Sequence, residues 1–142
     1  MNGYVYLVGA GPGDEGLITK KAIECLKRAD IVLYDRLLNP FFLSYTKQTC
    51  ELMYCGKMPK NHIMRQEMIN AHLLQFAKEG KIVVRLKGGD PSIFGRVGEE
   101  AETLAAANIP YEIVPGITSS IAASSYAGIP LPTVTTVIAL LY

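Results

Sequence analysis

At 142 residues the chain has the length of one domain, and a chain of that size buries about two-thirds of the surface its unfolded form exposes, enough for a core. With 49% hydrophobic residues, 19% charged residues and a formal net charge of +1, the composition excludes a disordered polyelectrolyte and gives nucleic acid no footing as a partner. Cys25, Cys50 and Cys55 form no Cys-x-x-Cys pair, and the histidines are His62 and His72 alone, so no metal is expected and the thiols are read as reduced and structural. The first residues show no basic-then-apolar leader. The longest apolar stretch, Thr133 to Tyr142, has ten residues where a membrane-spanning helix needs about 20, which points to a cytoplasmic protein that does not enter the bilayer.

Apolar runs alternate with helical patterns, the order expected of βαβ units and a parallel sheet flanked by helices. The first run, Tyr4 to Val8, ends in Gly9-Ala10-Gly11-Pro12-Gly13-Asp14. This loop shares part of a dinucleotide fingerprint. Pro12, however, removes a backbone donor where a pyrophosphate would gather donors, and Asp14 adds negative charge, so a ligand without phosphates fits better. Thr19 caps the first predicted helix, in which Ala22, Ile23 and Leu26 recur at helical spacing. The second strand, Asp30 to Tyr34, delivers Asp35 and Arg36 at its end. An acid there suits a ribose contact, a general base or a plain ion pair with its neighbour. The third strand, Glu51 to Cys55, is followed by Gly56-Lys57.

A helix is predicted from Arg65 to Lys78, with Met68, Ile69, Leu73 and Phe76 on one apolar face and Gly80 as its stop. The fourth strand, Lys81 to Leu86, breaks off at Gly88-Gly89-Asp90-Pro91. Glycines without a Cβ let the main chain approach a ligand, and Asp90 offers an acceptor. Glu99 to Ala107 is the third helical pattern, ended by Asn108 and Pro110. Tyr111 to Val114 is the fifth strand, Pro115 to Ser119 its loop, and Ser119 to Ala127 the last helix, stopped by Gly128 and Pro130. In open parallel sheets ligands bind outside the carboxyl ends of the strands. Every loop singled out follows a strand, so Gly9 to Asp14, Asp35, Lys57, Gly88 to Asp90 and Pro115 to Ser119 are expected to converge on one face.

Five motifs in order, Gly9 to Asp14, Ala29 to Leu37, Gly56-Lys57, Arg85 to Gly95 and Val114 to Ser119, resemble those of the uroporphyrinogen-III C-methyltransferases, a branch of the tetrapyrrole methylase family. The resemblance spans Val5 to about Leu131. It implies a five-stranded N-terminal lobe of a two-lobed fold, S-adenosylmethionine as methyl donor, uroporphyrinogen III as substrate, precorrin-2 as product for sirohaem or cobalamin synthesis, and a homodimer. It also implies that Asp35 accepts a proton, that Lys57 donates one, and that Pro12, Gly88, Gly89, Asp90, Ile93, Thr118 and Ser119 stand at S-adenosylmethionine. Thr118 and Ser119 suit helix capping equally well.

Arg36, Lys57, Lys60, Lys87 and Arg96 lie on or near the loops and are candidates for meeting substrate carboxylates. Met58 stands where the family commonly carries arginine, with Lys60 or Arg65 as substitutes. After Leu131 the family continues with a Thr-His-Arg segment and a second lobe, whereas this sequence reads Pro132 to Tyr142, apolar and uncharged. The expected division is a lobe over 1–131 and a divergent tail over 132–142 with the second lobe absent, and the expected activity is weak or nil. The alternatives are a nicotinamide-dependent oxidoreductase domain and a non-catalytic dimerising fragment.

Overall fold

The structure, a computed structural model, describes residues 2–36, 38–58, 62–63, 66–93 and 95–129, with the side chains of residues 57, 58, 62 and 63 outside that description. Five strands, β1 (Tyr4–Gly9), β2 (Ile31–Tyr34), β3 (Glu51–Tyr54), β6 (Ile82–Lys87) and β7 (Tyr111–Val114), form one parallel sheet in the order β3-β2-β6-β1-β7. Between β3 and β6 a two-residue pair, β4 (Lys57–Met58) and β5 (His62–Ile63), makes an antiparallel hairpin that the sequence reading did not anticipate. The helices are α1 (Lys20–Arg28), α2 (Gln66–Lys78), α3 (Val97–Ala106) and α4 (Ser119–Tyr126).

Side chains alternate across a strand, and both faces of this sheet are covered, so alternate residues feed two cores. Val5, Leu7, Ile31, Leu33 and Val83 pack with Ile69, Leu73 and Phe76 of α2 and Leu104 of α3. Val8, Val32, Val84, Leu86 and Val114 pack with Ala22, Cys25 and Leu26 of α1. That second core also takes in Phe42, fully buried on a 3-10 helix, Pro40–Tyr45, whose irregular spacing carries no helical signal.

The chain leaves β1 for β2 across the α1 face and leaves β6 for β7 across the α3 face. β1 and β6 are neighbours, so the crossovers that follow them run to opposite sides and leave a crevice at this switch point. Element ends follow local chemistry. Thr19 Oγ1 accepts from Ala22 N at 3.0 Å and so caps α1. Gly80, Asn108 and Gly128 terminate α2, α3 and α4 with φ of 86°, 57° and 74°, the left-handed stop common after helices.

Three expectations are corrected. Met68 is 50% exposed and not part of the core face of α2, because the stripe that meets the sheet runs Ile69, Leu73, Phe76 and Ala77, one residue out of phase with it. β6 extends through Lys87 rather than ending at Leu86. α3 starts at Val97 rather than Glu99, because Arg96 takes a left-handed φ of 54° and turns the chain two residues earlier.

Candidate functional site

The site is built first from backbone. The loops after β1 and β6 bond to each other, Gly11 N to Gly89 O at 3.1 Å and Gly89 N to Gly11 O at 2.7 Å, while Ala10 N reaches Lys87 O at 2.7 Å. A Cβ on Gly9 would lie 2.6 Å from Gly89 O and 2.9 Å from Gly116 N, so the loops after β1, β6 and β7 touch main chain to main chain. Only glycine permits that approach. Asp90 completes the junction. Its Oδ1 accepts from Ser92 N at 2.7 Å and its Oδ2 from Gly116 N at 3.0 Å, which ties the β6 loop to the β7 loop across 26 residues of sequence.

Above this junction opens a cleft of about 470 Å³, within the range of small-molecule sites. The structure brings Pro12, Asp35, Gly88, Gly89, Asp90, Ile93, Thr118 and Ser119 together around it, with Gly11 and Gly95 beside them. Asp35 and Asp90 make the lining acidic, Ile93 supplies an apolar patch, and the Thr118 hydroxyl a donor and acceptor. Such a set receives an ammonium, a sugar hydroxyl and an aromatic face better than it receives a phosphate. Thr118 occupies the N-cap position of α4, yet its side chain makes no capping hydrogen bond, and Ile121 N and Ala122 N bond to its carbonyl instead. Of the two roles open to this hydroxyl from the sequence, capping is not the one the structure gives it.

An exposed bond outside the cleft lining joins the β1 loop to α4. Tyr126 Oη, at the end of α4, donates to Asp14 Oδ2 at 2.6 Å, and Gly16 N donates to Asp14 Oδ1 at 2.7 Å. These bonds, the tyrosine's first, hold the Asp14 carboxyl below the usual carboxylate range. Nothing in the sequence linked residues 112 positions apart, and Tyr126 was missed.

The basic candidates separate. Arg36 is exposed beside Asp35. Lys57 is the first residue of β4, but its side chain lies outside the described residues, as do Lys60 and Arg65, so its ammonium has no stated position. Lys87 is not on the ligand-facing surface. It is 5% exposed, with Nζ 2.7 Å from Glu100 Oε1 and bonded to Gly95 O. Strand register explains this, since 83, 85 and 87 share the face turned to α3. Burial pulls the Lys87 pKa below the ordinary lysine range, against the raising influence first of Glu100 and then, more weakly, of Asp35. Arg96 is tied to Glu99 by two bonds of 2.9 Å.

All three thiols are free, and burial pushes each pKa up, so none has thiolate character. Among the described residues no three His, Cys, Asp or Glu side chains are grouped to hold a metal ion, and no helix is long and apolar enough to cross a membrane.

Comparison with known proteins bears on this geometry. The profile of the tetrapyrrole (corrin/porphyrin) methylases matches residues 4–141. A uroporphyrinogen-III C-methyltransferase of Bacillus subtilis is 59% identical over 129 residues, covering 91% of this chain and 50% of the relative. A sirohaem synthase of Nitrosospira multiformis is 56% identical over 131 residues, covering 92% and 28%. A crystal structure of uroporphyrin-III C-methyltransferase from Thermus thermophilus, complexed with S-adenyl homocysteine, superposes with a TM-score of 0.77 at 47% identity, covering 92% of this chain and 54% of that one. The chain thus spans about half the length of the first and third of these proteins and little more than a quarter of the second.

Proposed function

Because the chain belongs to the tetrapyrrole (corrin/porphyrin) methylase family, we propose that it furnishes the S-adenosylmethionine-binding lobe for C-methylation of uroporphyrinogen III to precorrin-2. The observation that carries this reading is the convergence of loops from β1, β2, β6 and β7 on one acidic, glycine-floored cleft. The relatives' names and the S-adenyl homocysteine held by the Thermus protein support it.

The lining fits the donor. Asp90 and the hydroxyl of Thr118 answer its ammonium and ribose, Ile93 its adenine, and the backbone at Gly88 and Gly89 its polar edges. When bound, the sulfonium supplies an electrophilic methyl whose departure leaves a neutral thioether, so the protein's task is alignment in a dry cleft. Asp35, at the end of β2, accepts the proton released when a pyrrole carbon takes the methyl group. Lys57 is assigned the complementary donation, and Arg36 meets substrate carboxylates at the rim.

The division into a lobe over 1–131 and a tail over 132–142 is part of the same proposal, with turnover by this chain alone slow or absent. So are a cytoplasmic location and self-association through the exposed apolar residues Ile121, Tyr126 and Ile129.

Calorimetric titration with S-adenosylhomocysteine and with NAD tests the reading. Binding of the first and not the second is expected; binding of NAD alone would replace this reading with a dinucleotide domain. Incubation of this chain with uroporphyrinogen III and methyl-labelled S-adenosylmethionine is expected to give labelled precorrin-2 slowly or not at all, and a normal enzymatic rate refutes that part of the proposal. Asp35→Asn is expected to leave S-adenosylhomocysteine affinity within about threefold, a change of roughly 0.6 kcal/mol.

A further inference from the structure

Beneath the cleft, on the α3 face of the sheet, three charged side chains are buried together, Arg85 and Lys87 at 5% exposure and Glu100 at 0%. Buried ion pairs seldom add to stability over well-packed apolar residues, because desolvation offsets their attraction. This one is also incompletely satisfied. Arg85 Nε stands 3.5 Å from Glu100 Oε1 without hydrogen-bond geometry, and Glu100 Oε2 has no hydrogen-bond partner among the described residues. A role other than holding the fold together is therefore to be sought.

The connectivity supplies one. Lys87 is the last residue of β6, and its ammonium bonds both to Glu100 Oε1, at 2.7 Å, and to the carbonyl of Gly95, eight residues on. Between those two points runs the loop that contributes Gly88, Gly89, Asp90 and Ile93 to the cleft. Immediately after Gly95, Arg96 takes its left-handed φ of 54° and starts α3, the helix that carries Glu100 back under Lys87. A non-glycine residue keeps such a φ only where its surroundings over-determine it. The loop has little slack elsewhere, since a Cβ on Gly95 would lie 2.9 Å from Pro91 C. An ammonium is a compact charge with three donors, so one lysine can grip a carbonyl and a carboxylate at once.

On the reading of the cleft given above, we infer that Lys87, anchored by Glu100, is a positioning residue that closes the base of loop 88–95 and sets the shape of the ligand cleft. The ligand does not touch it. Removing its charge alone leaves Glu100 facing Arg85 Nε at 3.5 Å and accepting from Gln66 Nε2 at 3.3 Å, whereas removing Glu100 strands buried cations. The informative variant is therefore Lys87→Met, which keeps most of the volume and leaves one cation facing one carboxylate.

Hydrogen exchange of the full chain, read by mass spectrometry, compares residues 88–96 with the sheet, and calorimetry reads S-adenosylhomocysteine affinity. In Lys87→Met the sheet is expected to keep its protection while the loop exchanges about tenfold faster or more and affinity falls about tenfold, the scale of one charged hydrogen bond. Lys87→Arg, which keeps the charge, is expected to restore most of both. A folded Lys87→Met variant with wild-type loop protection overturns the inference. Lys87→Gln is read the same way if Lys87→Met does not fold. Should the wild type bind no S-adenosylhomocysteine, the reading of the cleft falls, while the exchange comparison still decides the role of Lys87.

Discussion

Replacing Gly9 by alanine tests whether main-chain contact among three loops builds the cleft. The new Cβ would lie 2.6 Å from Gly89 O, 2.8 Å from Pro91 Cδ and 2.9 Å from Gly116 N, all shorter than the separations real Cβ atoms tolerate. Two of the three obstacles are backbone and the third is a proline ring, so no flexible side chain can swing away. Overpacking of this kind costs about 1–3 kcal/mol. Alanine in extended backbone recovers about 0.5–1 kcal/mol through the unfolded chain, and the net expected loss is therefore about 0–2.5 kcal/mol. Gly98→Ala is the control. It sits in α3 with no atom within 4 Å of the added carbon, and a gain of about 0.5–1 kcal/mol is expected there. Urea titrations at equal m-value read both changes. Because the displaced Gly89 lines the cleft, S-adenosylhomocysteine affinity is expected to fall with Gly9→Ala and to hold with Gly98→Ala. If the two variants are equally stable, the close-contact argument is wrong.

Thr118→Val and Thr19→Val separate ligand hydroxyl from cap hydroxyl: the first is expected to change stability by less than about 0.5 kcal/mol and weaken S-adenosylhomocysteine about tenfold, the second to cost about 1 kcal/mol and leave binding alone, and a reversed pattern in calorimetry and urea unfolding counts against both assignments. Asp90→Asn leaves only one acceptor oxygen for the N–H groups of Ser92 and Gly116, with an expected loss of about 1–3 kcal/mol in urea unfolding together with weaker binding; a variant of wild-type stability would show that the two bonds do not hold the loops. Asp30 accepts from Ile82 N at 2.8 Å and from Lys47 Nζ at 2.8 Å, and these bonds, the backbone one first, hold its carboxyl below the usual range. A depressed folded value means that its contribution is complete above the unfolded carboxylate value of about 3.9 and is lost as pH falls through the lower folded one. Asp30→Asn is therefore expected to flatten the acid limb of the stability curve, and parallel limbs for wild type and variant would show that the bonds add nothing.

The strands were legible because a two-sided parallel sheet demands apolar residues on both faces of each strand, and Val5, Leu7, Val8, Ile31 to Leu33, Val83, Val84 and Leu86 fill the two cores. Helix ends were legible where backbone geometry needs a residue of low penalty, at Gly80, Asn108 and Gly128. Lys87 was misread for a physical reason. A lysine after an apolar run looks like the first loop residue, and only its partner Glu100, on a helix that follows, allows the strand to continue through it. Met68 was misread because its neighbour Ile69 is equally apolar, and a shift of one residue turns the helix face by about 100°. The hairpin formed by β4 and β5 and the helix carrying Phe42 are too short to show a period.

The residues that line the cleft were legible because the loops that carry them meet main chain to main chain. Gly9, Gly89 and Gly116 mark where three loops must touch, and once they touch, the side chains that follow each loop face one space. Asp90 then serves two ends. Both its oxygens already receive backbone donors, but each carboxylate oxygen keeps a second lone pair, so the residue that locks the β6 loop to the β7 loop can also receive a ligand. On the proposed reading of the cleft, ligand binding and loop order share one group. A ligand that binds the folded chain alone raises its stability in proportion to the logarithm of its concentration above Kd, and through Asp90 that gain falls on the loops that form the cleft.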